Sequence, residues 1–392
     1  LREKGYATAV LGGWCANTFS LIDCGFEEVD VTGTQNHRWI LAEAAFNNHL
    51  LADFLLDNPL GRLLLPEIDR ASFGRGAASL TGRVERWLDG AAAAGRPFFL
   101  VAVYHATHLP YASSYPYYGR FVDPGYRGRN RYRIDFRIDE MIRRGFDHDL
   151  TAPERRHIVD LYDGCVQEFD DQVGAVVDRL RALGLLDHTI VGVWADHGDD
   201  LYEHGTTLGH GVTLFGGDQA NHVPAVFAGP GIPVRRVEAL VRSYDLAPTW
   251  ASWVGFGPAE GWRGVDLSGP VPDLTALLET SYLLYRQPVP DRLPGERPRP
   301  FPRLDQATFL DPDFDHNLVL RPELRGKVME TKSFAVRQGR WKLIYVPGVE
   351  RPIYRLYDLL ADPQCRRDLA REGHPEVERL KWLLPPRARG GS

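Results

Sequence analysis

Long apolar runs are missing from this chain. None approaches the ~18 residues that a membrane-spanning helix needs, so no membrane segment is expected. Lysine is scarce, basic residues are nearly all arginine, and the formal charge of −6 is small for 392 residues. That balance lacks the basic excess of a nucleic-acid-binding domain, and no nucleic-acid partner is expected. The arginines of the run Arg127 to Arg137 read first as a solvated surface; the functional alternative is proximity to an anionic substrate. Four cysteines, Cys15, Cys24, Cys165 and Cys365, show neither C-x-x-C spacing nor grouping. Neither a zinc knuckle nor a disulfide framework follows, which leaves the compartment open between cytoplasm and export. There is no internal repeat, and nothing in the pattern fixes an oligomeric state.

What is present suits a large globular protein. With 44% hydrophobic and 25% charged residues, the chain can bury a sizeable core, and its length favours one large domain with a smaller one. Phe98 to Tyr104, Thr189 to Ala195 and Val223 to Ala228 are continuous apolar runs with polar or Gly/Pro borders, which predicts buried strands. Between the first two, Ile158, Leu161, Tyr162, Cys165, Phe169, Val173, Val176 and Leu180 trace one stripe of a helix from about Pro153 to Leu183. Strand, helix, strand implies a parallel sheet. Arg286 to Arg303 is rich in Pro and Arg and reads as an extended connector, while Thr331 to Leu359 reads as short, turn-linked strands around Pro347-Gly348. The expected fold is therefore α/β: a largely parallel central sheet flanked by helices, with a smaller carboxy-terminal antiparallel sheet subdomain. The expected boundaries are 1–285, a connector 286–330, and 331–392. LREKGY reads as the last turn of a helix stopped by Gly5, which predicts further chain, and any leader, before Leu1.

In a parallel sheet, functional groups gather past the carboxyl ends of strands. After the first apolar run comes His105-Ala-Thr-His108-Leu-Pro-Tyr111. After the second comes Asp196-His197-Gly198-Asp199-Asp200, then Glu203-His204-Gly205 and Leu208-Gly209-His210-Gly211. Asp196 and His197 sit where a strand turns, so a carboxylate and an imidazole can converge on one cation. The competing structural reading is an Asp capping the next helix beside a hydrogen-bonded His.

The full run ADHGDDLYEHGTTLGHG followed by NHVPAVFAGPGI resembles the sulfatases of the alkaline phosphatase superfamily, as do GYATAVLGG with CGFEEVD, HATHLPY, SYDLAPTW and AVRQGRWKLIY with LYDLLADP. The resemblance implies a hydrolase that cleaves a small-molecule or carbohydrate sulfate monoester. It implies Asp196 and His197 as ligands of a divalent cation, most often calcium, and His108 and His210 as catalytic and substrate-binding groups beside the sulfate and its leaving oxygen. A cation and imidazoles neutralise oxyanion charge, and a protonated imidazole can donate to the departing oxygen. His105 and His204 read as supporting residues, and His222 as weaker still.

Two departures stand out. The family motif C/S-x-P-x-R, whose first residue becomes formylglycine, is missing, as are two further Asp ligands; none of the four cysteines has Pro two positions later. The resemblance places both before Leu1, so the 392 residues alone are expected to lack significant turnover and to bind metal weakly or not at all. Thr151-Ala-Pro153-Glu154-Arg155 fits the spacing but reads as a capping box opening the long helix. LGGWCA has Gly13 and Cys15 where many relatives resemble G-K-W-H. The alternatives are a phosphodiesterase or phosphonate monoester hydrolase on the same scaffold, and a non-catalytic, sulfatase-like protein.

Overall fold

The computed structural model of the protein describes residues 1–31, 76–134, 150–203, 206, 208–211, 213–280, 296, 299, 300, 304–314 and 317–389. Most of the Pro/Arg connector, His204 and the end of the arginine run lie outside the described residues. The chain divides into two units, the described residues of Leu1–Phe136, Leu150–His188 and Phe309–Val319, and those of Arg137–Asp149, Thr189–Thr308 and Leu320–Ser392.

The first unit is built on a parallel sheet. Its centre is β1 (Ala7–Gly12), with β2 (Glu28–Asp30) on one side and, after α1 (Gly76–Ala94), β3 (Phe98–Val103) on the other. Ala9, Val10 and Leu11 of β1 are buried, as the middle strand requires. α1 buries Ala77, Leu80, Val84, Leu88 and Ala91, a helical spacing that gives one apolar face. The long helix α2 (Ala152–Ala182) starts where the stripe predicts. Its cap is reciprocal: the Thr151 hydroxyl accepts from the Glu154 amide, and the Glu154 carboxylate accepts from the Thr151 amide. Thr151 is thus a structural cap. Gly5 adopts φ 85 after a short helical turn at Arg2–Lys4, which is the expected stop.

The second unit contains β4 (Val191–Trp194), β5 (Asp200–Leu201), β6 (Leu208–Gly209), β7 (Ala225–Ala228) and α3 (Leu246–Trp253). Here the expected continuation of the parallel sheet is not found: β4 pairs with β7, antiparallel, and among the described residues β3 and β4 belong to different sheets. A helical crossover constrains handedness and does not compel two strands to be neighbours. Nor are β4 and β7 buried on both faces. The tryptophans of α3 cover the face of Gly192 and Phe227, whereas Val226 on the opposite face is 64% exposed.

The antiparallel sheet comprises β11 (Phe334–Gln338), β12 (Trp341–Val346) and β13 (Ile353–Asp358), as the turn signals predict, plus β8 (Thr275–Glu279) from ahead of the connector. β9 (Thr308–Asp311) and β10 (Asn317–Leu320) form a separate pair. One face of the larger sheet, with Ala335, Ile344 and Tyr357, packs on Leu214, Phe215 and Cys365. The other, with Val336, Leu343 and Leu356, packs on Val377 and Leu380 of α4 (Glu376–Lys381). Each fully buried Leu or Ile here contributes about 1.5–3 kcal/mol through removal from water. Leu214 comes three residues after the Gly-His-Gly segment, so this sheet anchors the loop that carries His210.

Candidate metal and oxyanion site

At the end of β4 the chain turns through Asp196, His197 and Gly198. The Gly198 amide donates to the Ala220 carbonyl at 3.0 Å, and a Cβ at 198 would overlap the Gln219 carbonyl oxygen. Only glycine lets the turn lie against that loop. Asp196 Oδ1 accepts from the His197 amide at 3.0 Å, its Oδ2 lies 3.6 Å from His197 Nε2, and His197 Nδ1 is 3.1 Å from the Gly198 carbonyl oxygen.

The next strand pair brings in the second histidine. Asp200 lies opposite Gly209 and Leu201 opposite Leu208. One more step along that antiparallel ladder sets Asp199 across from His210. His210 Nδ1 is 2.6 Å from Asp199 Oδ1, and the rings of His197 and His210 stack at 3.8 Å and 27°. With Asp199 accepting from Nδ1–H, His210 Nε2 carries the lone pair in the neutral ring, as a metal ligand would, and an N–H in the imidazolium, as an oxyanion donor would. One ligand atom each from His197, Asp199 and His210 falls within 4.8 Å of the others, a group able to hold a metal ion. Asp199 is almost buried while Asp196 is exposed, so the cluster spans from interior to rim. Asp200 faces inward. Burial, then Glu203 and Asp199, push its carboxyl up to about 8 against the opposing pull of Lys342.

Beneath the turn lies an ionic anchor. The fully buried Lys342 ammonium donates to the Gly217 carbonyl and sits 3.0 Å from Asp218 Oδ1, while Arg337 Nε donates to Asp218 Oδ2 at 3.1 Å. Burial alone would raise the Asp218 carboxyl; the two cations outweigh it and hold it below the usual carboxylate range. Asp218 also accepts, through its carbonyl, from the amides of Asn221 and His222. His222 therefore belongs to a turn ahead of β7.

His105 and His108 lie in the first unit, past the end of β3. His108 Nδ1 is 2.8 Å from the Leu109 carbonyl oxygen. His105 is buried, and desolvation, then His108 and Arg83, push its imidazole down to about 4, so it is neutral at pH 7. Its ring covers Gly13: a Cβ there would stand 2.5 Å from His105 Nδ1. The unusual Gly13 thus has a steric cause in this chain.

The structure brings together Asp196, His197 and His210, and it places His108 in the other unit. Asp199, Asp218 and Lys342 are the residues that sequence reasoning did not single out. The available signal for Asp199 was its place in the acidic run after His197, but its partner emerges only with the β5–β6 register.

The chain matches the Sulfatase family over residues 1–256. A sulfatase of Formosa agariphila is 32% identical over 101 residues, covering 26% of this chain and 19% of that protein. Arylsulfatase K of Bos taurus is 25% identical over 229 residues, covering 58% of this chain and 36% of that protein. The matches thus span well under two thirds of the length of these relatives. Phosphonate monoester hydrolase of Agrobacterium radiobacter shares the fold, with a TM-score of 0.62 at 20% identity, covering 97% of this chain and 77% of that one. With the DHG turn and its paired histidines in place, the match over more than half the chain makes this protein a member of the sulfatase family, within the alkaline phosphatase superfamily.

Proposed function

We propose that this chain supplies the cation and oxyanion side of a sulfate monoester hydrolase. In this reading Asp196 and His197 hold a divalent cation, and the protonated ring of His210, oriented by Asp199 through Nδ1, donates from Nε2 to the ester's sulfate or its leaving oxygen. The carrying observation is the convergence of the His197, Asp199 and His210 donor atoms within 4.8 Å, from the turn after β4 and the end of β6. Bound there, a cation would neutralise sulfate oxygens and make the sulfur a better electrophile. The substrate class is a small-molecule or carbohydrate sulfate ester. No C/S-x-P-x-R motif occurs in the 392 residues, so formylglycine has no position here, and slow turnover or none is expected of these residues alone.

The same geometry favours a second assignment of His210, as a third metal ligand beside His197 and Asp199. Two imidazoles with one carboxylate suit manganese or zinc, whereas calcium, the ion implied by the family resemblance, takes six to eight oxygens. Isothermal titration with calcium, manganese and zinc separates the two. Loss of binding in Asp196→Ala, with binding kept in His210→Ala, supports the first assignment; the reverse supports the second. The reaction class is tested by titrating an aryl sulfate and an aryl phosphonate with and without chelator. Cation-dependent preference for the sulfate is expected, and a preference for the phosphonate would move the protein to the phosphonate monoester hydrolase reading, which the fold likeness keeps open.

A further inference from the structure

Beyond His108 the chain runs through residues 111–134, and this segment has unusual chemistry. It holds five arginines against a single aspartate, in a protein of net charge −6. It also presents aromatic side chains to solvent: Tyr115 is 81% exposed, Tyr132 51% and Phe121 47%. Tyr118 packs edge-on against Tyr132 with centroids 5.2 Å apart, and the Arg131 guanidinium lies 5.1 Å over the Tyr132 ring. Among the described residues, Arg120, Arg129 and Arg131 are exposed and form no ion pair.

A floppy loop would lose this arrangement, but the segment is tied down from below. Ser114 donates through both its amide and hydroxyl to the buried Glu168 carboxylate, at 3.1 and 2.6 Å. The Tyr117 hydroxyl donates to Asp171 at 2.6 Å, His157 Nε2 is hydrogen-bonded to the Asn130 carbonyl at 2.9 Å, and the Ile134 amide closes the ends by donating to the Pro110 carbonyl at 2.8 Å. The exposed rings and cations are therefore ordered before any ligand arrives, which reduces the entropy lost on binding.

We infer that residues 115–132 form a binding surface for a sulfated saccharide. The inference rests on the sulfate-ester reading above and deepens it. Aromatic faces at Tyr115 and Tyr132 offer stacking area to the apolar faces of sugar rings, and guanidinium forks at Arg129 and Arg131 suit bidentate recognition of sulfate oxyanions. A single-stranded nucleic acid would use similar groups. The saccharide is favoured because the sulfate-ester reading supplies it, and because a short, sparsely sulfated chain suits five arginines in an otherwise acidic protein better than a long polyphosphate does.

The test is calorimetric titration of the full chain, in chelator, with three probes: a hexasaccharide bearing one sulfate per disaccharide, its desulfated form, and an RNA of matched charge. The sulfated hexasaccharide is expected to bind at least about tenfold tighter than either of the others, and more weakly as salt rises. The paired variants Tyr115→Ala/Tyr132→Ala and Arg129→Glu/Arg131→Glu should each weaken it by about tenfold or more, with unchanged circular dichroism and melting temperature. Equal affinity for the desulfated sugar, RNA binding as tight, or folded variants within roughly twofold of the parent would overturn the inference. Failure of the underlying reading has a different signature: hexasaccharide binding persists while the aryl sulfate shows no cation dependence.

Discussion

Lys342→Met is the most informative stability perturbation, because it removes a fully buried charge that ties the carboxy-terminal sheet to the loop under the DHG turn. Breaking a buried ion pair by deleting one partner costs about 3–5 kcal/mol, since the remaining charge is left uncompensated. The low end applies here: Asp218 keeps Arg337 at 3.1 Å, and its side chain is 22% exposed to water. A loss of about 3 kcal/mol corresponds to a fall in melting temperature of roughly 6–12 °C for a unit of this size. The effect should reach the site as well, because Asp218 is two residues from Ala220, whose carbonyl fixes Gly198. Cation affinity should therefore fall with stability. A double-mutant cycle with Asp218→Asn isolates the pair, and the double variant should recover roughly 2 kcal/mol of the summed losses. Strict additivity, with Lys342→Met costing less than about 1 kcal/mol, would refute the anchor.

Gly13→Ala should lose about 1–3 kcal/mol, as overpacked sites do, because the new methyl would stand 2.5 Å from His105 Nδ1; His105→Ala in the same chain should restore most of it in a melting assay. His105 also predicts a pH dependence. Its imidazole is neutral in the fold, with a pKa pushed down from 6.5 to about 4. The unfolded chain takes up a proton below about 6.5, so this contribution is complete above that pH and disappears as pH falls towards 4, by about 3 kcal/mol. Urea titrations across that range should show the slope in the parent and a flatter curve in His105→Gln; identical curves would contradict it.

Much of the fold can be read from local signals. The cap at Thr151 and Glu154 and one apolar stripe define α2, and the turn-linked strands read around Pro347-Gly348 are three strands of the antiparallel sheet. Features set by distant partners are less legible. β8 joins that sheet from across the connector, and nothing in Thr275–Glu279 names its partner. Nothing in WKLIY marks Lys342 as buried; it is buried against Asp218, far away in sequence. At the site, Asp196 and His197 were candidates from their place where a predicted strand turns, and His210 from the family resemblance of its Gly-flanked segment. The role of Asp199 depends on a two-residue ladder too short to predict.

The central claim, that the DHG turn with its paired histidines is a divalent-cation site, is tested most directly by metal titration of the full chain followed by the His197→Ala variant. His197 belongs to both assignments of the ligand set, so its loss is informative whichever ion is preferred. The sequence alone offers two protein ligands and predicts weak binding, whereas the structure gathers three donor groups within 4.8 Å. The account predicts one cation per chain, with affinity at least about tenfold weaker in a folded His197→Ala variant. Unchanged stoichiometry and affinity in that variant would contradict it.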